Sequence, residues 1–238
     1  MKTTDIEYVV DGTTYRGYLA VDETKTGKRP GVLLAPAGPD LDELYKSFAR
    51  KLAGLGYVVF AMDYHGGGKA LDQGPMMERL EAFRIDPLRI RAIAAKALEV
   101  LKAQSEMDAS KLAATGYCFG GTTALELARS GADLKAVVGF HSGLGTVRPQ
   151  DAKNIEAKIL VIIGADDPII PREQRLAFEQ EMTAAKVDWR MNLCGGAGHS
   201  FTNPAMKGDR PGFAYHEPSD RRSWAAMLDL FSEVFGPA

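Results

Sequence analysis

The chain has 238 residues, 45% of them hydrophobic and 25% charged, the balance of an ordinary globular protein and not of a disordered, collagen-like or coiled-coil one. Its 29 Lys and Arg against 31 Asp and Glu leave a net charge of −2. That gives no basic footprint for nucleic acid and no pull toward an anionic membrane, so neither is expected as a partner. No repeat or low-complexity linker divides the chain, and one domain over residues 1–238 is the expectation.

The opening MKTTDIEYVV lacks the apolar core of a signal peptide. No later segment approaches the about 18 uncharged apolar residues of a membrane span. A cytoplasmic protein is therefore expected. Two cysteines, Cys118 and Cys194, make no disulfide scaffold. Cys194 ends an alternating run, WRMNLC, and reads as packing.

In chain order, IEYVV and TYRGYLAV flank Asp11-Gly12, the signal of a β-hairpin with a primed turn. PGVLLA is a short buried strand, followed by Asp40 and Glu43 at capping-box spacing and a helix carrying Leu44, Phe48, Leu52 and Leu55. YVVFAMDY is the next strand. Asp86-Pro87 caps and opens a helix whose Ile90, Ile93, Ala94, Ala97, Leu98 and Leu101 form one apolar stripe. LAATGYC, LKAVVGF, AKILVIIG and VDWRMNLC read as further strands. Between them lie TALELARS, stopped by Gly131, and a helix opened by Pro171; a last helix runs from Ser219. Strands apolar on both faces that alternate with helices imply a largely parallel sheet covered on both sides. The expected fold is a three-layer α/β sandwich with an antiparallel N-terminal edge hairpin, its chemistry at the C-terminal ends of the strands.

TGYCFGG, Thr115 to Gly121, carries the most information. Gly-x-Cys-x-Gly between an apolar strand and a buried helix is the nucleophile-elbow pattern with Cys in place of Ser. The turn is too tight for side chains at Gly116 and Gly120. It lifts the Cys118 sulfur to a helix N-terminus, where free N–H groups and the dipole favour thiolate. The Phe119 N–H is then one oxyanion donor. Of four histidines, His65 and His141 follow strands and His216 sits in a polar segment before the last helix. His199, in the Gly-rich loop GGAGHSF after the last strand, fits the chain order nucleophile, acid, histidine. The acid comes from ILVIIGADDPIIP, where Asp167 is chosen on the Gly-x-x-Asp-x-x-Ile-Pro phrasing and Asp166 caps or is solvated.

At these residues the chain resembles the dienelactone hydrolase family of α/β-hydrolases. PGVLLAPAG, LAGLGYVVFAMDYHGGG, TGYCFGG, VIIGADDPIIP, GHSFTNP and DRRSWAAMLDLF carry the resemblance along nearly the whole length. It implies Cys118 as nucleophile, Asp167 as orienting acid and His199 as general base, acting on a lactone or small ester without metal or organic cofactor. A general carboxylesterase or thioesterase without dienelactone activity is the alternative. The resemblance implies a Glu that such proteins usually carry after the first core strand, and an ungapped reading puts Ala37 there. Gly38 N–H is then the second oxyanion donor. The resemblance also suggests an Arg bound to a substrate carboxylate, with Arg84 the best single candidate among Arg79, Arg84, Arg89 and Arg91; a solvated helix face is the other reading of these. Tyr117, beside the nucleophile, is set with Arg84 as substrate-binding. The partner expected is a small-molecule ester or lactone, with the chain a monomer or homodimer. Three rivals remain: a metal hydrolase, without His-x-His or His-Glu-x-x-His; a dinucleotide oxidoreductase, without Gly-x-Gly-x-x-Gly; and a thiol redox module on the same fold.

Overall fold

Asp11 and Gly12 both take left-handed backbone, φ 47° and 76°, which matches the twist of the strands they join. They fold β1 (Lys2–Val10) onto β2 (Thr13–Val21), with Tyr8 opposite Tyr15 and their rings stacked at 5.4 Å. This computed structural model describes residues 1–236. The remaining main strands are β3 (Arg29–Ala35), β4 (Val58–Ala61), β5 (Met107–Tyr117), β6 (Ala136–Phe140), β7 (Lys158–Gly164) and β8 (Trp189–Cys194). They form one eight-stranded sheet in the order β1-β2-β4-β3-β5-β6-β7-β8. β2 runs antiparallel to β4, and from β4 to β8 every pairing is parallel. The expected α/β-hydrolase sandwich is the observed fold.

Helices cover both faces because each carries one apolar stripe. α1 (Glu43–Gly54) and α6 (Glu217–Phe235) lie on one side, where Leu52, Met227, Leu230 and Phe231 are buried. Each such side chain contributes about 1.5–3 kcal/mol on burial. α2 (Gln73–Ile85), α3 (Pro87–Lys102), α4 (Phe119–Arg129) and α5 (Arg172–Ala184) cover the other side. Asp86 caps α3 as expected, accepting from the Leu88 N–H at 3.2 Å, with Pro87 in the first turn. Asp42, not Asp40, caps α1, taking the Leu44 N–H at 2.9 Å; N3 is then Tyr45 and Glu43 pairs with Arg50, so the expected capping box does not form.

α4 is buried along its length, and its charges are matched in place. Arg129 is fully enclosed and bonds Glu126 at 3.0 Å and both Glu181 oxygens at 2.8 Å. Arg91 bridges Glu126 and Asp151, so this member of the arginine group is buried and holds helices together. No described helix is long and apolar enough to cross a membrane.

β4 stops four residues into its apolar run because Asp63 gathers the chain into a turn. The Asp63 carboxylate accepts the N–H groups of Arg16, His65, Gly66 and Gly68 at 2.8 to 3.1 Å. Gly66, Gly67 and Gly68 all have positive φ, which is the use of the glycine run. The loop it forms faces the C-terminal end of β3.

Candidate active site

β5 ends at Tyr117 and α4 begins at Phe119, so Cys118 alone makes the reversal. Its φ of 52° and ψ of −118° are unfavourable for a residue with a side chain, a cost of order 1–3 kcal/mol. Two hydrogen bonds hold it there: Cys118 N–H to Phe140 C=O at 2.9 Å and Gly121 N–H to Cys118 C=O at 3.1 Å. The flanking glycines are obligatory on contact distance. A Cβ on Gly116 would lie 2.1 Å from the Gly120 carbonyl oxygen, and one on Gly120 would lie 2.1 Å from that of Ala35.

Three loops at the same sheet edge bring the expected triad residues together. His199 Nε2 is 3.1 Å from Cys118 Sγ, and its Nδ1 is 2.8 Å from Asp167 Oδ2. Asp167 is fixed through its other oxygen, which accepts the Ile169 N–H at 2.8 Å. Asp166 is exposed, in line with the solvated alternative. A clasp not foreseen from the sequence holds the histidine loop. β9 (Lys207–Arg210) and β10 (Phe213–Ala214) form a small hairpin beside it. His199 N–H donates to Gly212 C=O at 2.7 Å, and the His199 ring meets Phe213 at 5.2 Å.

The electrostatics favour a charged pair. Burial disfavours a Cys118 thiolate, but the His199 hydrogen bond and charge outweigh it, helped by the Phe119 and Gly38 N–H groups, and the thiol pKa falls below its ordinary value. Burial likewise opposes an imidazolium at His199, yet Asp167 and Cys118 together raise its pKa to about 9. Both amides favour the charged sulfur.

A model of the dienelactone hydrolase family matches residues 15–235. The chain belongs to that family. Membership makes it a hydrolase of carboxylic ester bonds, lactones included. Among solved structures, one named m3DLH is 45% identical with a TM-score of 0.95, covering 98% of each chain. A dienelactone hydrolase-like promiscuous phosphotriesterase from metagenomic libraries is 41% identical with a TM-score of 0.94, covering 99% of both. A Yersinia pestis protein named "Putative carboxymethylenebutenolidase" is 28% identical over 93% of this chain and 85% of its own.

Within this family member, the other expected site residues separate. Arg84 sits at the rim: half-exposed, paired with Glu81 at 3.3 Å, its guanidinium 5.6 Å from the Phe119 ring. Tyr117 does not reach a substrate position. Alternation along β5 sends its ring to the face opposite Cys118, where it is 1% exposed and stacks on Phe140 at 4.6 Å and Phe48 at 4.9 Å. Ala37, next to Gly38 in the chain, is half-buried. Of the carboxylates close to it in sequence, Asp42 caps α1 and Glu43 pairs with Arg50. Burial, then Asp42, holds the Asp40 carboxyl above its usual range.

Cys194 ends β8 and packs toward α6, as its alternating run implied. His216 bonds Ser219 at 2.8 Å at the start of α6. His141 lies behind His199, ring centroids 5.1 Å apart, and its Nε2 is 2.9 Å from Thr202 Oγ1. No group of three or more His, Cys, Asp or Glu among the described residues is arranged to hold a metal ion. A cavity of about 430 Å³ between Arg29, Tyr57 and Phe235 lies at the far end of the sheet, away from the thiol.

Proposed function

We propose that this chain hydrolyses small carboxylic esters and lactones by acyl transfer through Cys118. The observation that carries the reading is the Sγ–Nε2 distance of 3.1 Å on a histidine fixed by Asp167 at 2.8 Å, and the Phe119 and Gly38 N–H groups favour the charged sulfur. The thiolate attacks the carbonyl carbon, and the new oxyanion is held by the Phe119 and Gly38 N–H groups. Collapse breaks the acyl–oxygen bond, and the departing alkoxide takes the proton from His199 Nε2. Water then gives a proton to the neutral imidazole as its oxygen attacks the thioester. The second tetrahedral intermediate expels the thiolate and frees the acid. Each oxyanion donor is worth about 10²–10³ in rate, which is why both amides matter. In a lactone the alkoxide remains tethered to the acyl group, so water must capture the thioester before the ring closes again.

The names of relatives point to lactones. One from Bradyrhizobium, 27% identical over 87% of this chain, is named for a lactonase activity on an oxofuranylidene propanoate. Ala37 stands where the family pattern has Glu, which separates ester hydrolysis in general from dienelactone turnover in particular. The test is a hydrolysis panel of dienelactone, simple lactones, aryl esters, thioesters and one phosphotriester, run on wild type and Cys118→Ala. Turnover of an ester or lactone that the variant loses is the expected result. Full turnover by Cys118→Ala, or none on any ester or lactone, refutes the reading. In this account the protein acts in the cytoplasm on a small molecule.

A further inference from the structure

The second oxyanion donor belongs to a loop, Pro36 to Pro39, with no regular structure to hold it. An amide in a mobile loop would have to be oriented in every catalytic cycle. Here two side chains from the Asp63 turn hold it from behind. The Tyr64 hydroxyl donates to the Ala37 carbonyl and lies 3.2 Å from that of Pro36. His65 Nε2 is 2.6 Å from the Gly38 carbonyl. The Ala37 carbonyl and the Gly38 N–H are the two ends of one peptide plane and point in opposite directions. A donor on that carbonyl therefore fixes the direction of the N–H that faces Cys118. It also polarises the amide, because hydrogen bonds in a chain strengthen one another.

We propose that Tyr64 and His65 are positioning residues that aim and polarise the Gly38 amide of the oxyanion hole. A carbonyl only accepts, so His65 donates through Nε2–H and stays neutral; burial, the largest influence on it, pushes its pKa down. Nδ1 is then buried without a protein partner among the described residues, a cost retained for the sake of the Nε2 contact. The Tyr64 ring is wedged edge-on between His65 at 4.7 Å and Phe119 at 5.6 Å, so one side chain spans both oxyanion donors. Asp63 anchors the unit to β2 through the Arg16 N–H at 3.0 Å. DYHGGG thus serves as a brace: one carboxylate to fix the turn, three glycines to wind it, and two ring donors to hold the opposing loop.

This inference rests on the acyl-transfer reading, and its test separates the two. Tyr64→Phe keeps the ring and removes the donor. With p-nitrophenyl acetate its kcat is expected to fall roughly tenfold while KM stays within about twofold, because the interaction matters in the transition state. The inflection of Cys118 alkylation by iodoacetamide against pH is expected to move up, since the amide facing the thiolate is weakened. His65→Gln, which can still donate, retains most of kcat, whereas His65→Leu loses about as much as Tyr64→Phe. An unchanged kcat and an unchanged alkylation inflection in folded Tyr64→Phe would overturn the proposal, as would equal losses in His65→Gln and His65→Leu. The alkylation readout needs no turnover. If wild type releases no p-nitrophenol, the esterase reading fails while the Tyr64 contact is still tested.

Discussion

The absence of a carboxylate at position 37 predicts a thiol that is armed without substrate. Cys118 is flanked by His199 and two N–H groups, and no side chain but His199 hydrogen-bonds its sulfur among the described residues. Ala37→Glu would set a negative charge beside the thiolate. At about 5 Å and an effective dielectric of about 20, two like charges repel by about 3 kcal/mol, or about 2 pH units. Position 37 is half-buried, so solvent screening reduces this to about one unit. Ala37→Gln controls for size. The assay is the rate of iodoacetamide alkylation of Cys118 from pH 4 to 10, with the site of labelling read by mass spectrometry. Wild type is expected to inflect well below the ~8.5 of a free thiol, Ala37→Glu about one unit higher, and Ala37→Gln with wild type. The sign for His199 runs the other way: its pKa is raised to about 9, so the imidazolium is present below that pH and lost above it. Turnover that needs the imidazolium as proton donor therefore declines above about pH 9. A wild-type inflection near 8.5, or the same inflection in all three proteins, would refute the reasoning.

Three other substitutions follow from the same geometry. Asp167→Asn keeps the shape but removes the charge that stabilises the imidazolium, so kcat is expected to drop by about 10³–10⁴, with the alkylation inflection moving up; near-wild-type kcat would show that the 2.8 Å contact is idle. Arg84→Ala should equalise kcat/KM for a carboxylate-bearing ester and its neutral analogue if the rim guanidinium near Phe119 meets the substrate, and a wild type that already treats both alike removes Arg84 from the site. Gly120→Ala drives a methyl group into the Ala35 and Pro36 carbonyls at 2.1 and 2.2 Å, a destabilisation of at least about 3 kcal/mol that chemical denaturation would read; wild-type stability would mean the elbow relaxes.

The site was legible in the sequence to the extent that topology fixes it. Parallel strands deliver their C-terminal loops to one edge, so an elbow, an aspartate loop and a histidine loop in that chain order had to converge. The 2.8 and 3.1 Å contacts are the local outcome of that convergence. Tyr117 misled because nearness in sequence to Cys118 is not nearness to the substrate: adjacent strand residues face opposite sides of the sheet. β9 and β10 gave no period to read, since all four residues of β9 are exposed. The segment after the glycine run hid α2 because only Leu80 and Phe83 are buried along it, too few to make a stripe. The brace of Tyr64 and His65 depends on carbonyls 27 and 28 positions away, and no local pattern encodes which loop will arrive there.

Acyl transfer through the Cys118 sulfur leaves a covalent intermediate, which can be trapped and located. Wild type mixed with p-nitrophenyl acetate and quenched in acid within milliseconds is digested, and the acylated peptide is located by mass spectrometry. The account predicts one acetyl group on Cys118, absent from Cys118→Ala and accumulating in His199→Ala to the extent that deacylation is slowed. Rapid turnover with no acetyl on Cys118, or with the acetyl on Cys194, would contradict it.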